Sequence, residues 1–472
     1  MRSLFTLLLL AAVATAQPKF DNSKPLTKLV FGSCNDQDKP CPIWDAIIKQ
    51  QPEVLVLLGD TIYADLDKSR KVTTQVIKDQ YDKLDAVPAF KTLKTTVPLQ
   101  GVWDDHDYGK NDADSTYPLK DESQQIFLDF YGVPKDSPRR TMKGVYNSAV
   151  YGPEGKRVQV ILLDERYFSL GAIRGKYDPR VKTTPYIPNS ADDATILGAE
   201  QWAWLAEQLK VPAEIRLIGS GTQVIVDEHP YEKWANFPKE REKLYALLRD
   251  SKANGVIILS GDRHLAELSL DTDVIGYPLY DITSSGFNQA TKSWRAPEKN
   301  RHRVAAVPFG NNYGAINIDW TRETSPLISL QLHGEEGEVL VRHDIRLGML
   351  TPNTQAAKGK DPAKESGPAK AMPEGVISGT DAMKKVGEKV TTQFEVILTG
   401  STKDNKRVFL NADKDRNFTV VLTGKILTEG KWKDVKPDSF KGKTIRVKGT
   451  VTEFNKKPQI VLEDAESLEI VQ

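Results

Sequence analysis

The sequence predicts an α/β unit, a mixed pair of sheets with helices outside, followed by a small all-β barrel. Three observations carry this reading. Short apolar runs alternate with amphipathic helical patterns through the first 260 residues. Beyond Gly276 the helical patterns thin out and strand patterns of antiparallel type take over. A stretch at 351–374, rich in Lys, Ala, Pro, Gly and Thr and without apolar period, then sets off a last block of alternating strands.

Taken in order, residues 28–31 read as a strand. Residues 42–50 read as a helix with Pro42 at its first position, where a missing N–H costs nothing. The apolar run 54–58 is the next strand, 73–93 is helical in period, 97–103 is a strand and 119–131 a helix. A strand at 158–163 precedes a helix at 198–209 that carries Trp202, Leu205 and Leu209 on one face. Strand 215–218, helix 239–249 and strand 256–259 complete the alternation. Strands at 279–283, 315–320, 327–332 and 339–345 follow. In the last block, strands at 392–398, 406–410, 418–422, 443–451 and 459–462, with a polar segment before the fourth, suggest a barrel of the OB kind.

A chain of 472 residues exceeds what one hydrophobic core fills. Its 39% hydrophobic and 27% charged residues are ordinary for a globular protein, and a net charge of +1 argues against bulk nucleic acid as a partner. Arg2, an apolar run at 4–13 and Ala14-Thr15-Ala16 form a secretory signal peptide, with cleavage expected after Ala16. That run is too short to span a bilayer, and no later segment is apolar enough to do so. The expected organisation is therefore a signal peptide at 1–16, a main domain at 17–350, a linker at 351–374 and a barrel at 375–472, in a secreted or periplasmic monomer. The two cysteines, Cys34 and Cys41, would by default form one disulfide in an exported protein.

Four polar clusters each follow an apolar strand: Phe31-Gly32-Ser33-Cys34-Asn35, Gly59-Asp60-Thr61-Ile62-Tyr63-Ala64-Asp65, Trp103-Asp104-Asp105-His106-Asp107-Tyr108-Gly109 and Ser260-Gly261-Asp262-Arg263-His264. Open α/β sheets build their sites just past strand carboxyl ends. Four such ends bearing Cys, Asp, Tyr or His converge on one sheet edge if their strands are neighbours, which makes a metal site. A tyrosine phenolate suits a hard ion such as ferric iron, and an aspartate three residues before it can bridge two cations. Metal-assisted phosphate-ester hydrolysis needs such a pair.

In this order the clusters resemble the PhoD-like alkaline phosphatases of the calcineurin-like metallophosphatase superfamily, over residues 27–345. The superfamily ladder reads D-x-H, then G-D-x-x-D or G-D-x-x-Y, then G-N-H-D/E, then G-H-x-H. Here Cys34 stands at the first histidine position, Asp105 where Asn is usual, and Asp262 in place of a histidine. These departures are similar to the PhoD-like branch, which trades histidines for oxygen ligands and one thiolate. The resemblance implies a four-layer α-β-β-α metallophosphatase sandwich that uses ferric iron together with calcium. It implies Cys34 and Tyr63 as iron ligands, Asp60 as the bridge, and Asp105, Asp262 and His264 completing the cluster. The carboxylates agree with calcium as the second ion. If Cys34 is a ligand, Cys41 is a spare thiol.

His106 is read as orienting phosphate or protonating the leaving group. Arg166, in Leu163-Asp164-Glu165-Arg166-Tyr167, resembles a family arginine and matches the geometry of a phosphate oxygen pair, although an ion pair with Asp164 or another carboxylate is open to it. Arg263 is a similar candidate for substrate binding. His229, in a rim loop with Tyr231, Trp234 and Asn236, reads as a solvated loop histidine with a substrate-facing role as the alternative, and His302, His333 and His343 as structural or surface residues.

The activity implied is hydrolysis of phosphate esters by metal-activated water. A phosphodiesterase or phospholipase acting on teichoic-acid-like polymers, lipids or nucleic acid uses the same residues, and the loop 169–195, with Arg174, Lys176, Arg180 and Lys182, is placed to set that choice. A non-catalytic protein working through the barrel would be marked by lost ligand residues. A nucleotide-binding protein would carry a glycine-rich phosphate loop after the first strand, which is absent. The last block resembles OB-fold domains that bind nucleic acid, through Val408–Asn411, Phe418–Val421, Gly442-Lys443 and Val447–Gly449. From 371 to 472 there are 18 Lys and Arg against 15 Asp and Glu, and Phe409, Phe418, Trp432, Phe440 and Phe454 are the aromatics available for stacking. A spacer or polymer-binding role is expected ahead of nucleic-acid binding.

Overall fold

The structure is a computed structural model. It describes residues 18–292, 298–322, 325–352, 375–402, 406–412, 418–433, 435–454 and 457–471. The expected signal peptide and all but the first two residues of the expected linker lie outside the described residues. The chain divides into two compact units, Met1–Ala357 and Lys358–Gln472.

Fifteen strands are described in the first unit: β1 (Lys28–Gly32), β2 (Val54–Leu58), β3 (Leu99–Val102), β4 (Asn147–Tyr151), β5 (Val158–Leu162), β6 (Ile173–Arg174), β7 (Tyr186–Ile187), β8 (Ile215–Ser220), β9 (Val256–Ser260), β10 (Ala266–Asp271), β11 (Leu279–Ser284), β12 (Arg303–Val307), β13 (Asn312–Asp319), β14 (Leu327–Gly334) and β15 (Val339–Arg346). Among the described residues they form a six-stranded sheet, β15-β14-β13-β1-β2-β3, and a seven-stranded sheet, β12-β10-β11-β9-β8-β5-β4, with β6 and β7 as a separate hairpin. Both sheets are mixed: β1, β2 and β3 run parallel, as do β5, β8, β9 and β11, while the remaining pairs of each sheet are antiparallel. The parallel strands β2, β5 and β9 are buried at every residue, which is why their sequences are unbroken apolar runs.

Helix α1 (Ile43–Gln50) matches the helix expected at 42–50, whereas the one expected at 73–93 is two helices, α2 (Thr74–Asp85) and α3 (Pro88–Thr96). Pro88 has no N–H for the ladder of α2 and drives Val87 into an extended conformation (φ −70°, ψ 118°), so the chain turns and restarts. Sequence reading passes over β4 and β12, the partly buried edge strands of the second sheet, and over the buried β10, where Glu267, Ser269 and Asp271 interrupt the apolar residues.

Three of the four polar clusters follow β1, β2 and β3, which are neighbours. The fourth follows β9 in the other sheet, so the clusters meet between two sheet edges rather than on one. Small residues let those ends approach. A Cβ on Gly261 would lie 2.7 Å from Ser33 Oγ and 3.0 Å from the Leu58 carbonyl oxygen, and one on Gly59 (φ +88°) 2.4 Å from both Cβ and N of Asp104. Asn35 N–H donates to the Asp60 carbonyl at 2.8 Å and Phe287 N–H to that of Ser33 at 3.1 Å, tying the loops together.

The second unit contains β16 (Val376–Ser378), β17 (Lys389–Glu395), β18 (Leu398–Ser401), β19 (Arg407–Asn411), β20 (Thr419–Thr423), β21 (Thr444–Phe454), β22 (Lys457–Leu462) and β23 (Leu468–Ile470). The strand order is β16-β17-β21-β22-β20-β19-β18, with β23 on β21. The strand expected at 392–398 is thus two strands, β17 and β18. Only Val396 and Ile397 separate them in sequence, yet they lie towards opposite ends of the path. Among the described residues no ladder joins β16 to β18, so the path is open.

Gly59→Ala is expected to cost about 3 kcal/mol of unfolding free energy, from positive φ plus overpacking against Asp104. Gly155→Ala, also at positive φ (+80°) but with nothing within 4 Å, isolates the backbone contribution, about 1 kcal/mol. Denaturant titration of both variants checks this, and equal losses would refute the close-approach argument.

Candidate metal centre

Cys34, at the end of β1, is fully buried, and its Sγ lies 3.5 Å from Asp60 Oδ2 and 3.2 Å from Ser285 Oγ. The Tyr63 hydroxyl donates to Asp60 Oδ2 at 3.2 Å and lies 3.4 Å from His264 Nε2. Three ligand sets arise in which one donor atom per residue lies within 4.8 Å of the others: Cys34, Asp60 and His264; Asp60, Asp105 and His106; Asp105, Asp112 and Glu232. Asp60 belongs to the first two sets and Asp105 to the last two, so the sets run together into one chain of donors. Asp262 belongs to none of the three; its carboxylate acts on Cys34 and Asp60 through its charge.

The backbone around these donors is held in an uncommon conformation. Eight described non-glycine residues have positive φ, and five of them are Cys34 (63°), Asp60 (47°), Asp112 (56°), Asp262 (65°) and His264 (53°). Such strain persists only where surrounding contacts over-determine it. Those contacts are visible. Asp107 accepts from the main-chain N–H groups of Asp104 (2.6 Å), Asp60 (3.3 Å) and Thr61 (3.2 Å), locking the loop after β2 to the short helix α4 (Asp105–Tyr108). Asp105 Oδ2 accepts from Asp112 N–H at 2.6 Å. His106 places Nδ1 2.5 Å from Asp65 Oδ1, and Asp65 Oδ2 accepts from Asn111 N–H at 2.9 Å.

Arg166 is buried between two carboxylates, donating from Nε to Asp104 Oδ1 at 2.6 Å and from Nη1 to Glu232 Oε2 at 3.0 Å. Asp164, a candidate partner by sequence, instead accepts the main-chain N–H groups of Arg166 and Tyr167. Arg263 pairs with Glu298 at 3.1 Å and lies over the Tyr231 ring at 4.4 Å. Both cysteines are free thiols, so the default disulfide is not formed; Cys41 donates to the Phe287 carbonyl oxygen at 3.6 Å. His229 is buried, contrary to its reading as a solvated loop residue. His333 is structural, stacked on Tyr313 at 4.8 Å.

Negative charge dominates this space. Burial, reinforced by Asp105, Asp107 and Asp262 against the pull of His106, pushes Asp60 well above the usual carboxylate range. Burial takes Asp262 to about 6 and Glu232 to about 8, although Arg263 and Arg166, respectively, work the other way. Burial and then Asp60 raise Cys34 and Tyr63 as well. Burial opposes a charge on His106, yet Asp105, Asp60 and Asp65 outweigh it and carry that imidazole to about 10. Carboxylates collected out of water in this number are stable as anions only beside cations. The donor chemistry fits. One end offers a thiol, a phenol and an imidazole, the other an all-oxygen set, and one carboxylate stands between them.

Asp65, Asp112, Glu232 and Ser285 escaped sequence reading as site residues. Asp65 is the last residue of the second cluster, and Asp112 follows the third closely. Glu232 sits inside the His229 loop, and nothing local marks its approach to Asp105. Ser285 directly follows β11 and reaches Cys34 only because the two sheets face each other.

Acid, thiol, phenol and imidazole donors gathered at the strand ends of a two-sheet frame suit metal-assisted hydrolysis. A family model described as PhoD-like phosphatase matches residues 29–275, just over half of the 472-residue chain, and the chain belongs to that family. A solved structure of PhoD is similar to this chain with a TM-score of 0.51 at 16% identity, covering 72% of this chain and 74% of that one. The solved 5'-nucleotidase precursor from Thermus thermophilus gives 0.32 at 10% identity, over 69% and 55% of the two chains. No curated protein matches the chain.

The raised acids set a pH dependence. Asp262 and Glu232 have folded-state values above their unfolded ones, so their contribution to stability is complete below the unfolded values and is lost as pH rises through about 6 and about 8. The metal-free protein is therefore expected to lose stability across this window, and bound cations to restore it. The rise in melting temperature on adding a divalent cation should be larger at about pH 8 than at about pH 5. Equal rises at both, read by calorimetry, would contradict the electrostatic picture.

Proposed function

We propose that the chain is an exported phosphoesterase of the alkaline phosphatase D type, working with one ferric ion and calcium. The observation that carries this reading is the run of overlapping donor sets, with Asp60 common to two and Asp105 to two. Cys34, Tyr63, Asp60 and His264 would hold the iron, and the phenolate and thiolate suit that ion. Asp60 would bridge to calcium, which Asp105, Asp112 and Glu232 suit as hard oxygen donors, and Asp262 would complete the pair. When bound, these ions supply Lewis acidity to the phosphoryl oxygens and acidify water.

The remaining chemistry falls to side chains. His106, with Nδ1 on Asp65, keeps Nε2 to carry a proton to the departing alkoxide, and Asp65 fixes its ring. Arg166, pinned by Asp104 and Glu232, offers a guanidinium of set orientation to phosphoryl oxygens, and Arg263 adds positive charge from the β9 side. Export rests on Arg2, the apolar run 4–13 and Ala14–Ala16, and agrees with the lack among the described residues of any helix long and apolar enough to cross a membrane. The second unit fits an OB-like spacer or polymer-binding module. Phe418 and Phe440 are fully buried and unavailable for base stacking, leaving Phe454 as the strongly exposed phenylalanine of that unit among the described residues.

Metal analysis of the mature protein, together with hydrolysis of p-nitrophenyl phosphate and bis-p-nitrophenyl phosphate, tests the proposal and decides between monoester and diester. Absence of metal with no turnover of either compound would overturn it. Asp60→Asn is expected to lower kcat/KM by about a thousandfold or more, from loss of the shared ligand. Cys34→Ser is expected to reduce bound iron while leaving calcium in place, read by elemental analysis; unchanged iron would remove Cys34 from the ligand set.

A further inference from the structure

A cleft of about 490 Å³ is walled in part by Tyr186, Asp227, His229, Lys233, Asn236 and Glu298. It shares Tyr186, Lys233 and Asn236 with a narrower pocket whose wall includes Arg166 and Glu232. Glu232 belongs to the donor set with Asp105 and Asp112, and its chain neighbour Lys233 lines the cleft. The cleft thus adjoins the metal centre, yet none of the mechanism described above uses it.

Its polar groups are unbalanced. His229 Nδ1 accepts from Tyr231 N–H at 3.2 Å, which puts the ring proton on Nε2, and Nε2 is buried without a hydrogen-bond partner. Asn236 Oδ1 accepts from Lys233 N–H at 2.9 Å, while Asn236 Nδ2 is buried and unpartnered. His229 is 4% exposed, Asn236 2% and Lys233 5%. Lys233 Nζ donates to the Tyr231 carbonyl at 3.0 Å and makes no ion pair among the described residues.

The acids of the same cleft are already engaged. Asp227 Oδ2 pairs with Arg301 at 2.5 Å, Glu298 with Arg263 at 3.1 Å and Asp178 with Arg180 at 2.7 Å, and Glu228 accepts from Arg301 N–H at 2.7 Å. Asp227 Oδ1 is the acceptor left over. What remains is an ammonium, an imidazole N–H and an amide N–H, all buried, beside one spare carboxylate oxygen. Leaving such donors unmade is costly, and a tetrahedral oxyanion with several acceptor oxygens is the ligand that satisfies all three.

We propose that this cleft is a second phosphate site. Lys233, His229 and Asn236 would hold a phosphate carried on the alcohol side of the scissile ester, so that the preferred substrates bear two phosphate groups. This rests on the phosphoesterase reading and deepens it. The loop 169–195, expected to set selectivity, contributes Asp178, Arg180, Tyr186 and Pro188 to the wall of this cleft, alongside Lys233, His229 and Asn236. There Arg174 is engaged by Asp112 and lies over the Tyr186 ring at 3.9 Å, and Arg180 is engaged by Asp178, so the buried cation of the cleft that makes no ion pair among the described residues is Lys233, on which Asp227 acts through its charge.

The test is calorimetric titration of the metal-loaded full chain with non-hydrolysable alkane bisphosphonates over a series of spacer lengths, each against the alkyl monophosphonate of equal length. At one spacer length the bisphosphonate should bind about tenfold more tightly or better. Lys233→Met should bring that ratio to about twofold or below. Asn236→Asp should do the same while keeping the acceptor that Lys233 N–H requires, and it decides the matter if Lys233→Met fails to fold. No preference at any spacer length, or a preference that survives Asn236→Asp, would overturn the second site. Turnover of p-nitrophenyl phosphate by the same wild-type preparation tests the phosphoesterase reading separately. Its absence alongside an intact bisphosphonate preference would remove the reaction and support the site.

Discussion

The structure depends on one electrostatic constraint: carboxylates are gathered, largely out of water, where no protein cation is sufficient to balance them. Arg166 balances Asp104 and Glu232, and His106 balances Asp65, but burial and neighbouring carboxylates disfavour the anionic forms of Asp60 and Asp262. An unpaired buried charge is among the most expensive features a fold can carry. Its persistence makes sense when the missing counter-charge is a metal ion, and the thiol, phenol and imidazole beside it extend the same donor field.

The two-sheet frame makes this crowding possible. Parallel strands buried on every residue end together, and all their loops emerge at the same level. Gly59 and Gly261 remove the side chains that would keep the loops apart. Left-handed backbone at Cys34, Asp60, Asp112, Asp262 and His264 then turns short side chains into the gap. Hydrogen bonds from main-chain N–H groups to Asp107 and Asp105 hold that strain in place, so the donors are oriented before any cation arrives.

Charge is handled differently one cleft away. Around Lys233 the acids are neutralised and the donors are left over, the reverse of the metal centre. Two neighbouring spaces of opposite polarity suit a ligand whose reacting phosphate meets cations at one end and whose far end meets N–H groups at the other.

Much of this was legible in the sequence. Apolar runs located most buried strands of the first unit, though not β10, and the four clusters named Cys34, Asp60, Tyr63, Asp105, His106 and His264 as candidates, because a strand followed at once by ligating residues is a local signal. Asp262 was legible by position, but its carboxylate lies outside the three donor sets. Edge strand β4 opens on Asn147 and Ser148 and was not legible, and β12 is passed over although 304–307 is apolar. The sequence by itself determined that candidate ligands stand at strand ends, since strand propensity and side-chain identity are local properties. Only the tertiary structure decided that the fourth cluster belongs to a second sheet, that Cys34 meets Asp60 rather than Cys41, and that Glu232 joins Asp105 across more than a hundred residues of chain. Such pairings follow from how two sheets face each other, and no local pattern encodes that.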